Sequence, residues 1–466
     1  MKRDPEKRNE KKRGPIGRAV FFLQRGVPCL FLVPVLLLTG CAAAPAAPAG
    51  ELTGAAETED QPAPETEPAV VIEHPEVIRV KACRYVANLT GVGLTDRWDV
   101  YGTDLGVPVY SPSQQRMYFL FGDTSGVSEI DPTKKKNWRT TVAGYTELLD
   151  FSEGIRWDGF LDDGTGMARE LVKALHQTGS NTKEISKICQ GGIELDGKLY
   201  FFYESIRRWG ESGYWDVNYG GVIRSDDGGK TFEKVYDLSW IEPTDENDVL
   251  LAARLIQADI NLGSVAVDFD GPSHVVPGFG QLYPLDGKDG YVYLFGRFGG
   301  RQKGIKVARV KREDFERFSA YEYLVRYENG EPVWLPYREG IDAITADPTA
   351  ADVIPAPTSN MAVHWNEYLG KWVLTYYRTK SGICYATADH PYGPYSRPYL
   401  LISIKEPKLT ADLPSKSGAS GLYGGFTHEM MNREYGKIMP VVISQWYITS
   451  AGPRFYGSKM FEIEFE

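Results

Sequence analysis

The stretch Tyr101–Asp123, YGTDLGVPVYSPSQQRMYFLFGD, reads as strand, turn, strand. Each strand carries a carboxylate beside glycine: Asp104 in GTDLG and Asp123 in FGDT. The strand pattern recurs in KLYFFYES, YVYLFGRF and KWVLTYYR, without both acids. The stretch therefore reads as the first blade of a repeated β-sheet ring that brings two carboxylates to its central funnel.

The strongest apolar strands are expected at Arg116–Gly122, Lys198–Glu204, Gly290–Arg297, Lys371–Arg378 and Lys437–Gln445. They lie roughly 65–95 residues apart, a spacing that suits blades. Each has an apolar strand just upstream: Leu105–Tyr110, Gly191–Leu195, Gly280–Leu285, Met361–Trp365 and Leu422–Thr427. Tight turns such as Asp196-Gly197 join the pairs, and third and fourth strands follow. Five four-stranded units make an all-β, five-bladed β-propeller over residues 77–466. A pair of sandwiches or a six-bladed ring is the alternative. The chain ends on one strand, Lys459–Glu466, so Val77–Leu89 is expected to supply the outer strand of the last blade and close the ring. Met167–His176, MARELVKALH, is the one helix candidate. Ser225–Phe232, SDDGGKTF, matches the Asp-box pattern S-x-D-x-G-x-T-F/W, a structural turn between the third and fourth strands of a blade.

Residues 1–41 read as a targeting segment. A basic start is followed by an apolar run, Val27–Leu38, too short for a confident membrane span. The run ends in Leu38-Thr39-Gly40-Cys41, which resembles the bacterial lipobox, so Cys41 is the expected lipidation site. Each buried CH₂ of a lipid chain contributes about 0.8 kcal/mol to membrane attachment. Residues 42–76, rich in Ala, Pro, Glu and Thr, read as a disordered tether. The expected location is the bacterial cell envelope, outside the cytoplasm, with the lipid as the sole membrane contact.

The chain has 466 residues and a net charge of −10, carried by a folded part more acidic than the total because the start is basic. Nucleic acid is therefore not an expected partner. The 28 Tyr and 10 Trp suit sheets and sugar-binding surfaces alike. Of the five cysteines, Cys83, Cys189 and Cys384 lie beyond the leader. They show no metal-finger spacing, and nothing selects a disulfide among them. A monomer without cofactor or protein-held metal is expected, and a structural cation in the central channel is left open.

GTDLGVPVY, RMYFLFGDT, ICQGGIELDGKLYFFYES, YVYLFGRFG, NMAVHWNEYLGKWVLTYYR and YGGFTHEMM together resemble the family called domain of unknown function 4185. The resemblance spans most of residues 98–465. It is best at Trp209–Gly221, W-G-x-x-G-x-W-x-x-N-Y-x-G. The family includes endo-acting D-arabinan hydrolases of glycoside hydrolase family 183, five-bladed propellers that cleave arabinofuranosyl linkages with carboxylates. The resemblance implies a polysaccharide or oligosaccharide substrate and puts Asp104 and Asp123 where the family's acidic pair lies.

Glycoside hydrolysis needs one protonated and one ionised carboxyl group. Asp104 opens the innermost strand of its blade and Asp123 ends the antiparallel neighbour, so both reach one face of the ring. Asp123 is read as general acid and Asp104 as general base of an inverting reaction, with Glu204 in reserve. Arabinan-cleaving propellers of other families place a Glu acid on a later blade, but Gly280-Gln281-Leu282-Tyr283 has none. Taken singly, Asp104 suits an Asx turn and Asp123 a strand-end cap. Substrate-binding candidates at strand ends are Asn218, Arg297, Asn360, Arg378 and His428. The two arginines suit an acidic sugar or phosphate, or a salt-bridge network with the aspartates. His428 suits an ordinary hydrogen-bonding role as well. Trp209 and Trp215 suit a sugar-stacking wall or blade packing. A propeller that binds glycan without cleaving it is the main alternative, followed by a sialidase-like enzyme.

Overall fold

The computed structural model describes residues 72–126, 137–178, 183–242, 246–257, 269–406, 421–447 and 455–466. The expected signal peptide, Cys41 and the tether up to residue 71 lie outside the described residues. So does much of the loop between Pro243 and Gly280.

The first described strand is β1 (Val80–Asn88), whose partner lies near the other end of the sequence. The first blade is β2 (Leu105–Ser111), β3 (Arg116–Phe121), β4 (Val142–Thr146) and β5 (Gly159–Phe160). The second is β6 (Ser186–Leu195), β7 (Lys198–Trp209), β8 (Trp215–Ser225) and β9 (Glu233–Ile241). The third is β10 (Gln281–Asp286), β11 (Tyr291–Arg297), β12 (Lys306–Lys311), β13 (Glu322–Glu328) and β14 (Glu331–Pro336). The fourth is β15 (Met361–Asn366), β16 (Lys371–Arg378), β17 (Gly382–Ala388) and β18 (Tyr399–Ser403). The fifth is β19 (Tyr423–Phe426), β20 (Ile438–Tyr447), β21 (Phe455–Phe465) and, outermost, β1.

Neighbouring first strands touch in the order β2, β6, β10, β15, β19, and β19 returns to β2. The fold is a five-bladed propeller whose third blade carries one strand more than expected. Closure is as expected: β1 pairs antiparallel with β21 from Val80↔Phe465 to Asn88↔Lys459, so both ends of the domain share one sheet. Radial closure protects the inner strands of every blade and leaves only outer strands such as β1 as sheet edges.

Because blades stack on both sides, their strands are buried on both faces and read as apolar runs. Met117 through Phe121 of β3 are all fully buried. Phe119 meets Trp157 edge to face at 5.4 Å, and Phe121 meets it at 5.7 Å. Truncating such a ring to Ala costs about 3–5 kcal/mol. The turn from β8 to β9 is closed by Asp227, which accepts from the Thr231 amide and hydroxyl at 2.8 and 2.6 Å. Those bonds hold its carboxyl down at about 2. Cys83, Cys189 and Cys384 are free thiols on three different blades.

Met167–His176 is not a helix. Its backbone is taken by neighbouring strands and loops: Ala168 N donates to Trp98 O, and Leu171 N to Thr141 O. Four of its apolar residues, Ala168, Leu171, Val172 and Ala174, are buried against the first blade, whereas Met167 and Leu175 stay exposed. Tertiary packing thus overrides local propensity. The described helices of some length are α1 (Glu246–Gln257) and α2 (Tyr337–Ala346).

Candidate active site

All five first strands run the same way across the ring, so their starts gather at one opening. Asn360, Gln190 and Gln281 meet there: Asn360 Nδ2 donates to Gln190 Oε1 at 3.3 Å. Gln190 Nε2 and Gln281 Nε2 both donate to Glu204 Oε1, at 2.8 and 2.6 Å.

Asp104 sits at this opening, just before β2, and is partly exposed. The next residue, Leu105, is held at φ 66°, and the register slips between Leu105 and Val107. Such a bulge re-aims the neighbouring side chain, and the left-handed residue stores about 1–3 kcal/mol of strain. The surroundings hold it in place: Ser444 Oγ accepts from Leu105 N at 2.7 Å. The Asp104 carboxylate accepts from Tyr423 Oη at 2.7 Å and from Tyr456. Burial, reinforced by Asp104, keeps both phenols well above their usual range, so they remain donors. Both tyrosines belong to the fifth blade.

Asp123 follows Gly122 at the end of β3 and is also partly exposed. It accepts from Trp138 Nε1 at 2.8 Å and from Ser186 Oγ, on the second blade, at 2.9 Å. A Cβ at Gly122 would collide with Asp104 Oδ1, so the first carboxylate lies directly over the residue preceding the second. Both carboxylates also act on the Tyr456 hydroxyl. The expected pair is thus brought together at one opening, tied to opposite neighbouring blades.

Glu204 is different. It is 2% exposed and enclosed by Gln190, Gln281 and Trp215, whose Nε1 donates to it at 3.1 Å. Burial pushes its carboxyl up to about 7. Beside it lies Glu242, 8% exposed and pushed up to about 8 by burial. Between them Arg297, 1% exposed, donates to Gln281 and to the Gly300 carbonyl, and burial lowers it to about 10. Arg297 therefore answers these two glutamates.

The other candidates are spread out. Trp215 packs against the exposed Trp209 at 5.9 Å between centroids, at the hairpin tip beside Glu204. Asn218 is buried and donates to Lys183 O and Ser205 Oγ. Arg378 lies on the side of β16 that carries Tyr376, whereas Tyr377 faces inward to Arg301. His428 follows the end of β19, at the opposite opening. It accepts from Met430 N at 3.1 Å and packs near Tyr110. Burial lowers it to about 4.

Sequence reasoning missed Glu242, Arg301, Tyr423 and Tyr456. Tyr423 starts the YGGF segment already singled out, and Arg301 follows the FGG turn after Arg297; neither has a local signal for its partners. Among the described residues, no three His, Cys, Asp or Glu side chains converge to hold a metal ion.

Residues 90–456 match the family described as Domain of unknown function (DUF4185). The chain belongs to this family. No curated protein matches it. Among solved structures, the DUF4185 chain is similar to a candidate hydrolase from Bacteroides ovatus, at 14% identity and a TM-score of 0.48, covering 79% of this chain and 87% of that one. It is also similar to the GH43_1 enzyme from Xanthomonas citri, at 14% identity and a TM-score of 0.39, with coverage of 81% and 89%. An exo-β-1,3-galactanase from Phanerochaete chrysosporium aligns at 10% identity and 0.41, with coverage of 83% and 64%. Likeness at this level carries no argument about chemistry.

Proposed function

We propose that this DUF4185 protein is a glycoside hydrolase acting on arabinofuranosyl linkages of the D-arabinan type, with Asp123 as general acid and Asp104 as general base of an inverting reaction. The observation that carries the reading is the juxtaposition of two partly exposed carboxylates at one opening, with Asp104 lying over Gly122 and both acting on the Tyr456 hydroxyl. Two phenol donors fix the orientation of Asp104 as an acceptor, which suits a base that takes a proton from water. Asp123, oriented by an indole and a hydroxyl, faces the same opening for delivery of a proton to the leaving oxygen. Binding without cleavage is the second reading, favoured by the exposed Trp209 and Tyr214 at the rim. The protein is proposed to act as a monomer on the envelope, lipid-anchored through Cys41; Cys41→Ser should release it from membranes.

The test is release of reducing ends from D-arabinan by the unmodified protein and by Asp104→Asn and Asp123→Asn. Loss of release in both variants supports the assignment. Unchanged release in either removes that residue from the chemistry. No release by the unmodified protein, with retained glycan affinity, favours the binding reading.

A further inference from the structure

Two arginines four residues apart have opposite surroundings. Arg297 is sealed in: its two terminal nitrogens donate to Gln281 and to the Gly300 carbonyl, and Glu204 and Glu242 lie close by, although its Nε, like that of Arg301, has no hydrogen-bond partner. Arg301 is partly exposed. Its Nε is buried without a hydrogen-bond partner, and its guanidinium forms no ion pair among the described residues. Around it stand three aromatic rings from three other blades: Tyr423 at 5.1 Å, Tyr377 at 5.2 Å and Trp215 at 6.0 Å. Arg301 thus stands near the axis of the ring. Two of those rings bond the carboxyl groups already described, Tyr423 to Asp104 and Trp215 to Glu204.

The loop that presents it is built. Glu242 Oε1 accepts from Gly299 N at 3.0 Å, Arg297 holds the Gly300 carbonyl, and Arg301 N donates to Gly213 O at 2.9 Å. The buried Glu204–Arg297–Glu242 group therefore acts as a platform whose product is a fixed Arg301.

Aromatic faces flank this partly exposed, permanent cation, and the nearby Asp104 is answered by tyrosine hydroxyls instead. A planar donor fork in that state matches an oxyanion best. We propose that Arg301 is the specificity-determining residue of the opening and binds a carboxylate or phosphate group carried by the glycan. The substrate is then an arabinofuranosyl-containing glycan that carries an acidic substituent. The proposal rests on the reading that this opening takes a sugar chain, and it goes beyond that reading in the charge of the ligand.

The test is calorimetric titration and thermal shift with D-glucuronate, inorganic phosphate and D-glucose, on the unmodified protein, Arg301→Met and Arg301→Lys. D-Glucose is the neutral counterpart of glucuronate. The anion is expected to bind about tenfold or more tightly than glucose, to lose that advantage in Arg301→Met, and to keep part of it in Arg301→Lys. Preference for glucuronate alone assigns a carboxylate, and for phosphate alone a phosphate substituent. Equal binding of glucose and glucuronate without phosphate binding, failure of both anions to bind, or full anion affinity in Arg301→Met would overturn the proposal. The Lys variant and the melting curves guard against a misfolded Met variant. Binding is read without turnover, so an inactive protein that still discriminates keeps this proposal and sinks the hydrolase reading.

Discussion

Two groups of acids sit at the same end of the ring and are built in opposite ways. Asp104 and Asp123 are partly open, lie on one blade, and are oriented by neutral donors from the blades on either side. Glu204 and Glu242 are sealed, flank an arginine, and hold a loop. Burial pushes both sealed carboxyl groups up. A displaced pKa marks burial as readily as it marks catalysis, and access to a substrate separates the two. On that ground we propose chemistry for the open pair and support for the sealed pair.

Several outcomes would break or sharpen this contrast. The largest effect is expected at the open pair. Asp123→Asn should lower release from D-arabinan by about 10²–10⁴-fold, the usual contribution of general acid–base catalysis, while the melting temperature stays within a few degrees. A loss of stability equal to the loss of activity would move Asp123 into the scaffold. Next comes the sealed group. Above about pH 8, where Glu204 and Glu242 are ionised, Arg297→Met leaves two buried carboxylates without their cation and should destabilise the fold by about 3–5 kcal/mol in chemical denaturation. A neutral result would mean that Glu204 and Glu242 do not need it.

Tyr423→Phe removes one donor from Asp104. Hydrogen bonds to charged groups contribute about 1.5–3 kcal/mol, so activity should fall roughly 10- to 100-fold. The acid limb of the pH–rate profile should move to higher pH, since the ionised form of Asp104 loses support. An unshifted limb would detach Tyr423 from the base.

The smallest effect concerns pH. Glu204 and Glu242 titrate near 7 and 8 in the fold, above the ordinary value of 4.5. Between those values the unfolded chain has released these protons and the native protein still holds them. Stability from this source is therefore complete below about pH 4.5 and is lost as pH rises through 7 to 8. Glu204→Gln should flatten that decline in melting temperature between pH 5 and 8. A slope unchanged by the substitution would contradict the assigned protonation.

The ring was legible in the sequence because each blade repeats an apolar strand pair. The acidic pair was legible because Asp104 and Asp123 lie on one hairpin. β14 was not: Glu331–Pro336 is short and half exposed, and its apolar run, Val333-Trp334-Leu335, is only three residues long and flanked by prolines. The false helix at Met167–His176 had helical spacing, but its backbone bonds go to other parts of the chain. The partners of Asp104, Tyr423 and Tyr456, lie more than three hundred residues away and arrive only when β1 closes the ring. Arg301 and Glu242 were invisible for the same reason: their roles come from a meeting of blades.

The most direct test places the two groups side by side. Initial rates of reducing-end release from D-arabinan are measured for Asp104→Asn and Glu204→Gln, at a temperature where both remain folded. The account predicts near-complete loss in Asp104→Asn and a substantial residual rate in Glu204→Gln. Full activity in Asp104→Asn, with loss in Glu204→Gln, would contradict it.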